Sequence, residues 1–421
     1  MDHFRIKLSL FLNYFVFAIL LNSVGTVILQ VQHNFNVSKG SASVLEGFKD
    51  LSIAVASFLI ASHVARIGYK KTMLMALSLV SIMCLLIPSV NGFLMTKLLF
   101  ASVGIGFAMI KVTVFSTIAL VTKDKKEHLS LMNFLESFFM VGILSGNFLF
   151  AYFVDNDNQK STAWFNVYYV LGGMAIIAFL LLLSTRLDES GIQKEEQGKT
   201  ATQDFVEMMQ LVILPLVIVF IFCAFFYVLI EQSIMSWLPT FNNDVLKLST
   251  SLSIQMASIL SAAIAMGRFL AGVFLKKIDW LYLLVGCLIA AAVIVLVTVP
   301  LTKNISGLDI KTLADVPLVA FLFPLIGLFL APVYPAINSV ILSNLPVHKH
   351  SSMSGLIVVF SALGGTTGSI ITGHVFDAYG GQTAFYFSLI PIAVLIILLF
   401  FFKRLQPAGD GNVDINISGG H

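Results

Sequence analysis

The chain is poor in charge. Of its 421 residues only 11% are Asp, Glu, Lys or Arg, 22 acidic and 25 basic, giving a formal net charge of +3. It holds three cysteines, Cys84, Cys223 and Cys287, each inside an apolar stretch and far from the others, so neither a disulfide framework nor metal-ligand spacing is present. No glycine-rich phosphate loop, His-Glu-x-x-His pair or nucleophile elbow occurs. These absences exclude a nucleotide-driven pump working through this chain alone and argue against an enzyme. No cofactor and no metal are expected, and the small positive charge gives no reason to expect nucleic acid as a partner.

What the chain has instead is apolar length. Hydrophobic residues make up 58% of it and the mean hydropathy is +0.94, values that belong to a membrane protein. A helix needs about 20 apolar residues to span a bilayer. Twelve stretches qualify, at 8–30, 42–64, 72–90, 93–121, 130–153, 164–185, 208–238, 251–275, 280–300, 317–344, 352–376 and 384–402. Helices are expected throughout, because lipid cannot satisfy an unpaired backbone and these runs are too long for barrel strands. The first span lacks a small-residue cleavage site and reads as a retained anchor.

The longest polar connector, 186–207, divides the spans six and six. The expected organisation is an all-α polytopic membrane protein with an N-terminal six-helix bundle over 1–185, a cytoplasmic linker over 186–207, a C-terminal bundle over 208–402 and a tail over 403–421. Two such pseudo-symmetric halves suit a transporter whose central site lies between them. Lys and Arg fall 16 on the segments facing one side and five, Lys39, Lys160, Lys247, Lys303 and Lys311, on the other. That bias puts both termini in the cytoplasm.

Against this apolar background, eight ionisable residues fall inside the spans: Glu46, Lys49, Asp50, Lys97, Lys111, Glu136, Glu231 and Arg268. Each costs at least ~2.5–3.5 kcal/mol at the bilayer centre, so such groups face a bundle interior or an aqueous cavity. Glu46, Lys49 and Asp50 follow at i, i+3 and i+4 and share one helical face. The two acids suit proton uptake and Lys49 suits an anionic solute group; simple neutralisation of the acids by Lys49 is the other reading. Lys111 lies deep in the fourth span, with Glu136 of the fifth as its natural partner. The two either serve solute and proton or form a static packing pair. Glu231 and Gln232 stand one turn from Tyr227, with Trp237 beyond, so proton coupling and an outer-gate role are both open for Glu231. Asn22 makes the outer part of the first span polar. Pro332, Tyr334, Pro335 and Asn338 mark a kinked tenth span whose polar groups suit a pathway. Gly364-xxx-Gly368 in the eleventh permits close helix approach.

The loop Ala61-Ser-His-Val-Ala65-Arg66-Ile-Gly68-Tyr69-Lys70-Lys71, with Gly267-Arg268-Phe269, Phe226-Tyr227-Val228 and Tyr334-Pro335, resembles the major facilitator superfamily, and within it the fucose:proton symporter branch. Arg66, Gly68 and Lys70 fit the family loop, whereas Ala61 and Ala65 replace its Gly and Asp. The resemblance implies the twelve-helix major facilitator fold, alternating access and gating roles for Arg66 and Arg268. The branch's acids in the first and fourth spans are missing: Asn22-Ser23-Val24-Gly25-Thr26 has none, and Lys111 stands at the fourth-span position. Fucose-type coupling through those carboxylates is therefore not expected.

The leading expectation is a secondary active transporter for a small polar, anionic or zwitterionic solute, coupled to protons or else sodium. It would work as a monomer in a bacterial inner membrane. Neutral sugar:proton symport, proton-driven export of hydrophobic compounds and a non-transporting receptor on the same fold remain open. Against export, Gly142-Ile-Leu-Ser-Gly146-Asn147 lacks the proline of the exporter pattern.

Overall fold

The computed structural model describes residues 2–61, 64–122, 125–187, 189, 209–275, 278–302, 315–345 and 350–406. The described residues are helical, as the apolar runs require. In the first half α1 (Asp2–Asn22), α2 (Val24–Phe35), α3 (Lys39–Ala42), α4 (Val44–Ala61) and α5 (Val64–Ile67) are followed by α6 (Tyr69–Leu86), α7 (Phe93–Val121), α8 (Lys125–Phe153) and α9 (Val167–Leu183). The second half comprises α10 (Pro215–Met235), α11 (Leu238–Asp244), α12 (Thr250–Phe274), α13 (Trp280–Leu301), α14 (Leu318–Leu322), α15 (Ile326–Leu330), α16 (Val333–Ser343), α17 (His350–Tyr379), α18 (Gly381–Tyr386) and α19 (Leu389–Arg404).

Ten of the described helical stretches are long and apolar enough to cross a membrane. Two expected spans fall outside that set for identifiable reasons. Helix α4 carries three charged side chains within 18 residues, and in α8 the stretch whose side chains are described without interruption, Ser137–Phe153, is 17 residues or fewer. Several boundaries differ from the sequence expectation. The first span breaks at Ser23, whose hydroxyl bonds the Leu20 carbonyl, and continues as α2. The seventh begins at Pro215, which occupies the first helical turn, and bends at Trp237 into α11. The tenth is broken into short pieces where Pro324 and Pro332 remove backbone donors. The eleventh runs on to Tyr379, where Gly380 takes φ +81°, a turn conformation that favours glycine. The linker lies almost wholly outside the described residues, as does the tail after Gln406.

Within the first half α1 packs on α7, α8 and α9, and α6 on α7 and α9; within the second, α10 packs on α16, α17 and α19. Glycines set the closest approaches. A Cβ at Gly364 or Gly368 would come within 2.3 and 2.4 Å of the Phe225 and Leu229 carbonyls, so α17 lies against the α10 backbone, the approach that the Gly-x-x-x-Gly spacing predicts. Gly267 meets the Leu328 carbonyl in the same way.

The halves meet through α4 and α17, and through α8 and α12. Polar contacts join them at the end that the charge bias assigns to the outside, called the outer end below. Asp377 accepts the backbone N–H groups of Lys39 (3.0 Å) and Gly40 (2.7 Å), and Lys39 pairs with Asp244 at 2.9 Å. The Ser251 amide donates to Asn156 at 3.0 Å. At the other end Glu189 accepts the Tyr69 and Lys70 amides at the start of α6, 3.2 and 2.7 Å away. There a carboxylate suits the helix dipole and ties the start of the linker to the basic loop.

Candidate functional site

Glu46, Lys49 and Asp50 lie where α4 faces the second half. They are 0%, 3% and 7% exposed. The helical spacing that put them on one face also brings the Lys49 ammonium between the two acids: it pairs with Glu46 and stands 3.4 Å from Asp50. Close helix packing fixes this geometry. Gly104 of α7 lets that helix reach the Lys49 carbonyl, where a Cβ would sit 2.4 Å away. Gly365 of α17 leaves room for the Asp50 carboxylate, which a Cβ there would approach to 2.6 Å. From α10, the Ser236 hydroxyl donates to Glu46 at 2.6 Å. Glu46 thus has two donors, an ammonium and a hydroxyl, while Asp50 has the more distant share of the ammonium.

The second half contributes a more dispersed set. Tyr227 donates to Glu231 at 2.8 Å, one turn along α10. Its ring stacks on Tyr334 of α16, with centroids 5.5 Å apart and planes 27° from parallel. The Tyr334 and Ser361 hydroxyls are 2.8 Å apart, which brings in α17. Arg268 of α12 acts electrostatically on Glu231, Tyr227 and Tyr334, and Lys49 acts on Glu231 from across the interface. Buried polar atoms are left over here: Arg268 Nε, Asn338 Oδ1 and Thr366 Oγ1 have no hydrogen-bond partner among the described atoms. Buried groups of this kind each cost about 1–3 kcal/mol when unsatisfied, so each is a place that a ligand or water could complete.

The other residues singled out from sequence make contacts of their own, with Gln232 bordering the triad beside Gly365. Asn22 ends α1 and donates back to the Ala18 carbonyl at 2.9 Å. Trp237 is fully buried and donates to Ser369 at 3.1 Å, so its indole pins the α10–α11 bend to α17. Gln232 lies 3.2 Å from the Ser236 hydroxyl. Lys111 is half-buried in α7 with its ammonium 6.0 Å from the Phe107 ring centroid. The side chains of Glu136 and Arg66 lie outside the described set, although their backbones belong to α8 and α5. The three cysteines are free thiols, with Cys84 and Cys223 buried.

Sequence reasoning missed Ser236, Ser361, Gly365 and Asp377. Ser236 stands one turn beyond Gln232, a spacing that could have flagged it. Gly365 sits inside the Gly364-xxx-Gly368 spacing, which was read only for helix packing. Among the described residues, no group of His, Cys, Asp and Glu side chains has metal-binding geometry.

A family profile described as Major Facilitator Superfamily matches residues 10–310 and 307–415. Among solved structures, a bacterial homologue of the human lysosomal transporter Spinster, inward-facing and occupied, superposes with a TM-score of 0.72 at 16% identity, covering 95% of this chain and 96% of the other. The inward open xylose transporter XylE of E. coli gives 0.72 at 15% identity, over 97% of each chain. The transporter FucP in its outward conformation gives 0.61 at 16% identity, over 96% and 99%. The fucose symporter is thus one relative in fold among several and is not singled out. An efflux transporter of Pyricularia grisea is 29% identical over 86 residues, which span 20% of this chain and 14% of that protein.

Proposed function

As a member of the major facilitator superfamily, to which the match along most of its length assigns it, this multi-pass chain is a membrane transporter rather than an enzyme, and we propose that it couples proton movement to the uptake of a small anionic or zwitterionic solute. The observation that carries this reading is the charge balance of the buried triad. Glu46, Lys49 and Asp50 hold two carboxylates and one ammonium, an excess negative charge sealed from water between the halves. Burying an uncompensated charge costs several kcal/mol, which a bound proton removes. Asp50 is the carboxylate with fewer donors, so it is the group assigned to carry that proton, while Glu46 is held by Lys49 and Ser236. Sodium is the less favoured ion, since it would need several oxygen ligands and Lys49 already fills the position between the acids.

Solute recognition falls to the second half. With Lys49 engaged by the acids, the anion-binding role passes to Arg268, whose Nε has no hydrogen-bond partner among the described residues. Glu231 and Asn338 supply acceptors for a solute donor, and the Tyr227–Tyr334 stack supplies an apolar wall. A neutral sugar is the second reading, favoured by that same stacked pair. Since both sides of the site come from one chain, a monomer suffices. Closure at the outer end and the higher TM-scores to the two inward-facing structures support an inward-facing state. Both termini are assigned to the cytoplasm by the charge bias, and the short connectors suit a bacterial inner membrane.

The test is a thermal-shift screen of purified protein against neutral sugars, sugar acids, dicarboxylates, amino acids and dipeptides, at acid and neutral pH, because a ligand stabilises the folded state by mass action. Stabilisation by an acidic or zwitterionic compound, lost in Arg268→Ala, is expected. Stabilisation by a neutral sugar alone, unchanged in Arg268→Ala, would overturn the anionic reading.

A further inference from the structure

Ser236 joins the two halves at the triad, and the division of labour above leaves its purpose open. It is 1% exposed and lies in the bend that ends α10. Gly25 of α2 packs on its backbone so closely that a Cβ there would come within 2.7 Å of the Ser236 carbonyl, so its position against the first half is tightly set. Its hydroxyl has two acceptors in reach, Glu46 Oε2 at 2.6 Å and Gln232 Oε1 at 3.2 Å. A hydroxyl carries one proton, and the shorter, charged contact takes it. The bond is therefore a donor to Glu46 supplied from the opposite half of the molecule. It exists only while the halves are together at this depth.

We infer that Ser236 makes the proton affinity of the triad depend on which side the transporter faces. The inference rests on the reading of the triad as the proton site. With the outer end closed, the Ser236 O–H gives Glu46 a donor besides Lys49, so the triad tolerates its full negative charge and Asp50 gives up its proton. When the halves part at the outer end the hydrogen bond breaks. The same two acids then lean on Lys49 alone, and the triad binds a proton more tightly. By reciprocity, a bound proton favours the outer-open state and its loss favours the outer-closed state. The proton arrives on a triad carboxylate oxygen from outer water and leaves it towards inner water; no other bond changes, and the Ser236 proton can turn to Gln232 while the contact is broken.

Other ionisable groups stand on the elements packed around Glu46. Lys49 and Asp50 share α4 with it, Glu231 is on α10, and Lys97 and Lys111 are on α7. His33 on α2, Lys39 on α3, and His374 and Asp377 on α17 lie towards the outer end. Only Ser236 is a described hydrogen-bond partner of Glu46 from the second half. A comparison of variants at that position therefore isolates its part from theirs.

The experiment uses the full chain in lipid nanodiscs without solute, with Cys84, Cys223 and Cys287 replaced by Ala. Spin labels at Asn158→Cys and Tyr379→Cys, exposed at the outer end of either half, report the distance between halves across a pH titration. The unsubstituted Ser236 protein is expected to move towards the longer distance as pH falls. In Ser236→Ala the ratio of open to closed molecules should change with pH about tenfold less, a coupling of ordinary size for linked sites. Ser236→Thr should restore the response. If Ser236→Ala folds poorly, Thr against Val gives the same comparison between nearly isosteric side chains. A full pH response in Ser236→Ala, combined with its loss in the Glu46→Gln/Asp50→Asn double variant, would overturn the inference while leaving the triad as the proton site. A full response in that double variant would instead remove the triad reading itself.

Discussion

The two faces of the central site solve the problem of buried polarity in opposite ways. On α4, three charged side chains within five residues satisfy one another, and closely packed neighbours leave no room around them. In the second half, the polar groups are drawn from α10, α12, α16 and α17, and several donor and acceptor atoms are left without partners. A self-contained ion cluster with one excess negative charge has room for a proton and little else. A spread-out set with unfilled hydrogen bonds and a stacked aromatic wall has the shape of a place that a molecule completes. On the proposed reading, proton and solute are thereby assigned to different halves, and alternating access would couple the two.

The largest effect should come from removing the acid assigned to the proton. Asp50→Asn is expected to lower gradient-driven accumulation at least ~100-fold, while solute exchange down its own gradient survives, since positioned acid–base groups contribute about 10²–10⁴-fold to steps that move protons. Accumulation and exchange assays in proteoliposomes separate the two. Equal loss of both would merge the two faces into one site. Next in size is the opposite face. Arg268→Ala should weaken solute binding by roughly 10- to 100-fold, the range for a charge-assisted contact of about 1.5–3 kcal/mol, with proton binding by the solute-free protein unaltered. Isothermal titration of solute and of protons reads each part.

A smaller effect is expected from crowding the triad without touching its charges. Gly365→Ala would place a methyl group 2.6 Å from the Asp50 carboxylate. It should disturb proton-driven accumulation several-fold and cost about 1–3 kcal/mol of stability, as overpacking does. Solute affinity measured at equilibrium should change little. The smallest belongs to the outer end. Asp377→Asn keeps the shape but removes the charge that accepts the Lys39 and Gly40 amides, and should raise the outer-open population a few-fold, consistent with about 1 kcal/mol for one such bond. The spin-label distance described above measures it.

The two faces were not equally legible in the sequence. The i, i+3, i+4 spacing of Glu46, Lys49 and Asp50 places them on one face whatever the tertiary structure, so the triad could be read directly. The Tyr227–Glu231 contact followed from the same local rule, at i and i+4. The gating role of Arg268 came from the resemblance; its electrostatic action on Glu231 and Tyr334 depends on how α12 and α16 pack against α10, which no local pattern records. Ser236 stands one turn beyond Gln232, but that spacing does not record that its hydroxyl reaches Glu46 across the interface. Trp237 was singled out because it accompanies polar neighbours, and its contacts with Ser369 and Phe376 of α17 follow from the bend after α10, which that signal does not record. The helical class followed from apolar length alone. The break at Ser23 and the continuation of the seventh span into α11 arise from chain bends that apolar length does not encode.

The most direct test of the central claim is infrared difference spectroscopy of the reconstituted protein across a pH titration, following the C=O stretch of protonated carboxyl groups. A band that appears as pH falls, shifts in heavy water, vanishes in Asp50→Asn and persists in Glu231→Gln is the predicted result. A band that survives Asp50→Asn unchanged but is lost in Glu231→Gln would move the proton to the second half and contradict the separation of the two faces.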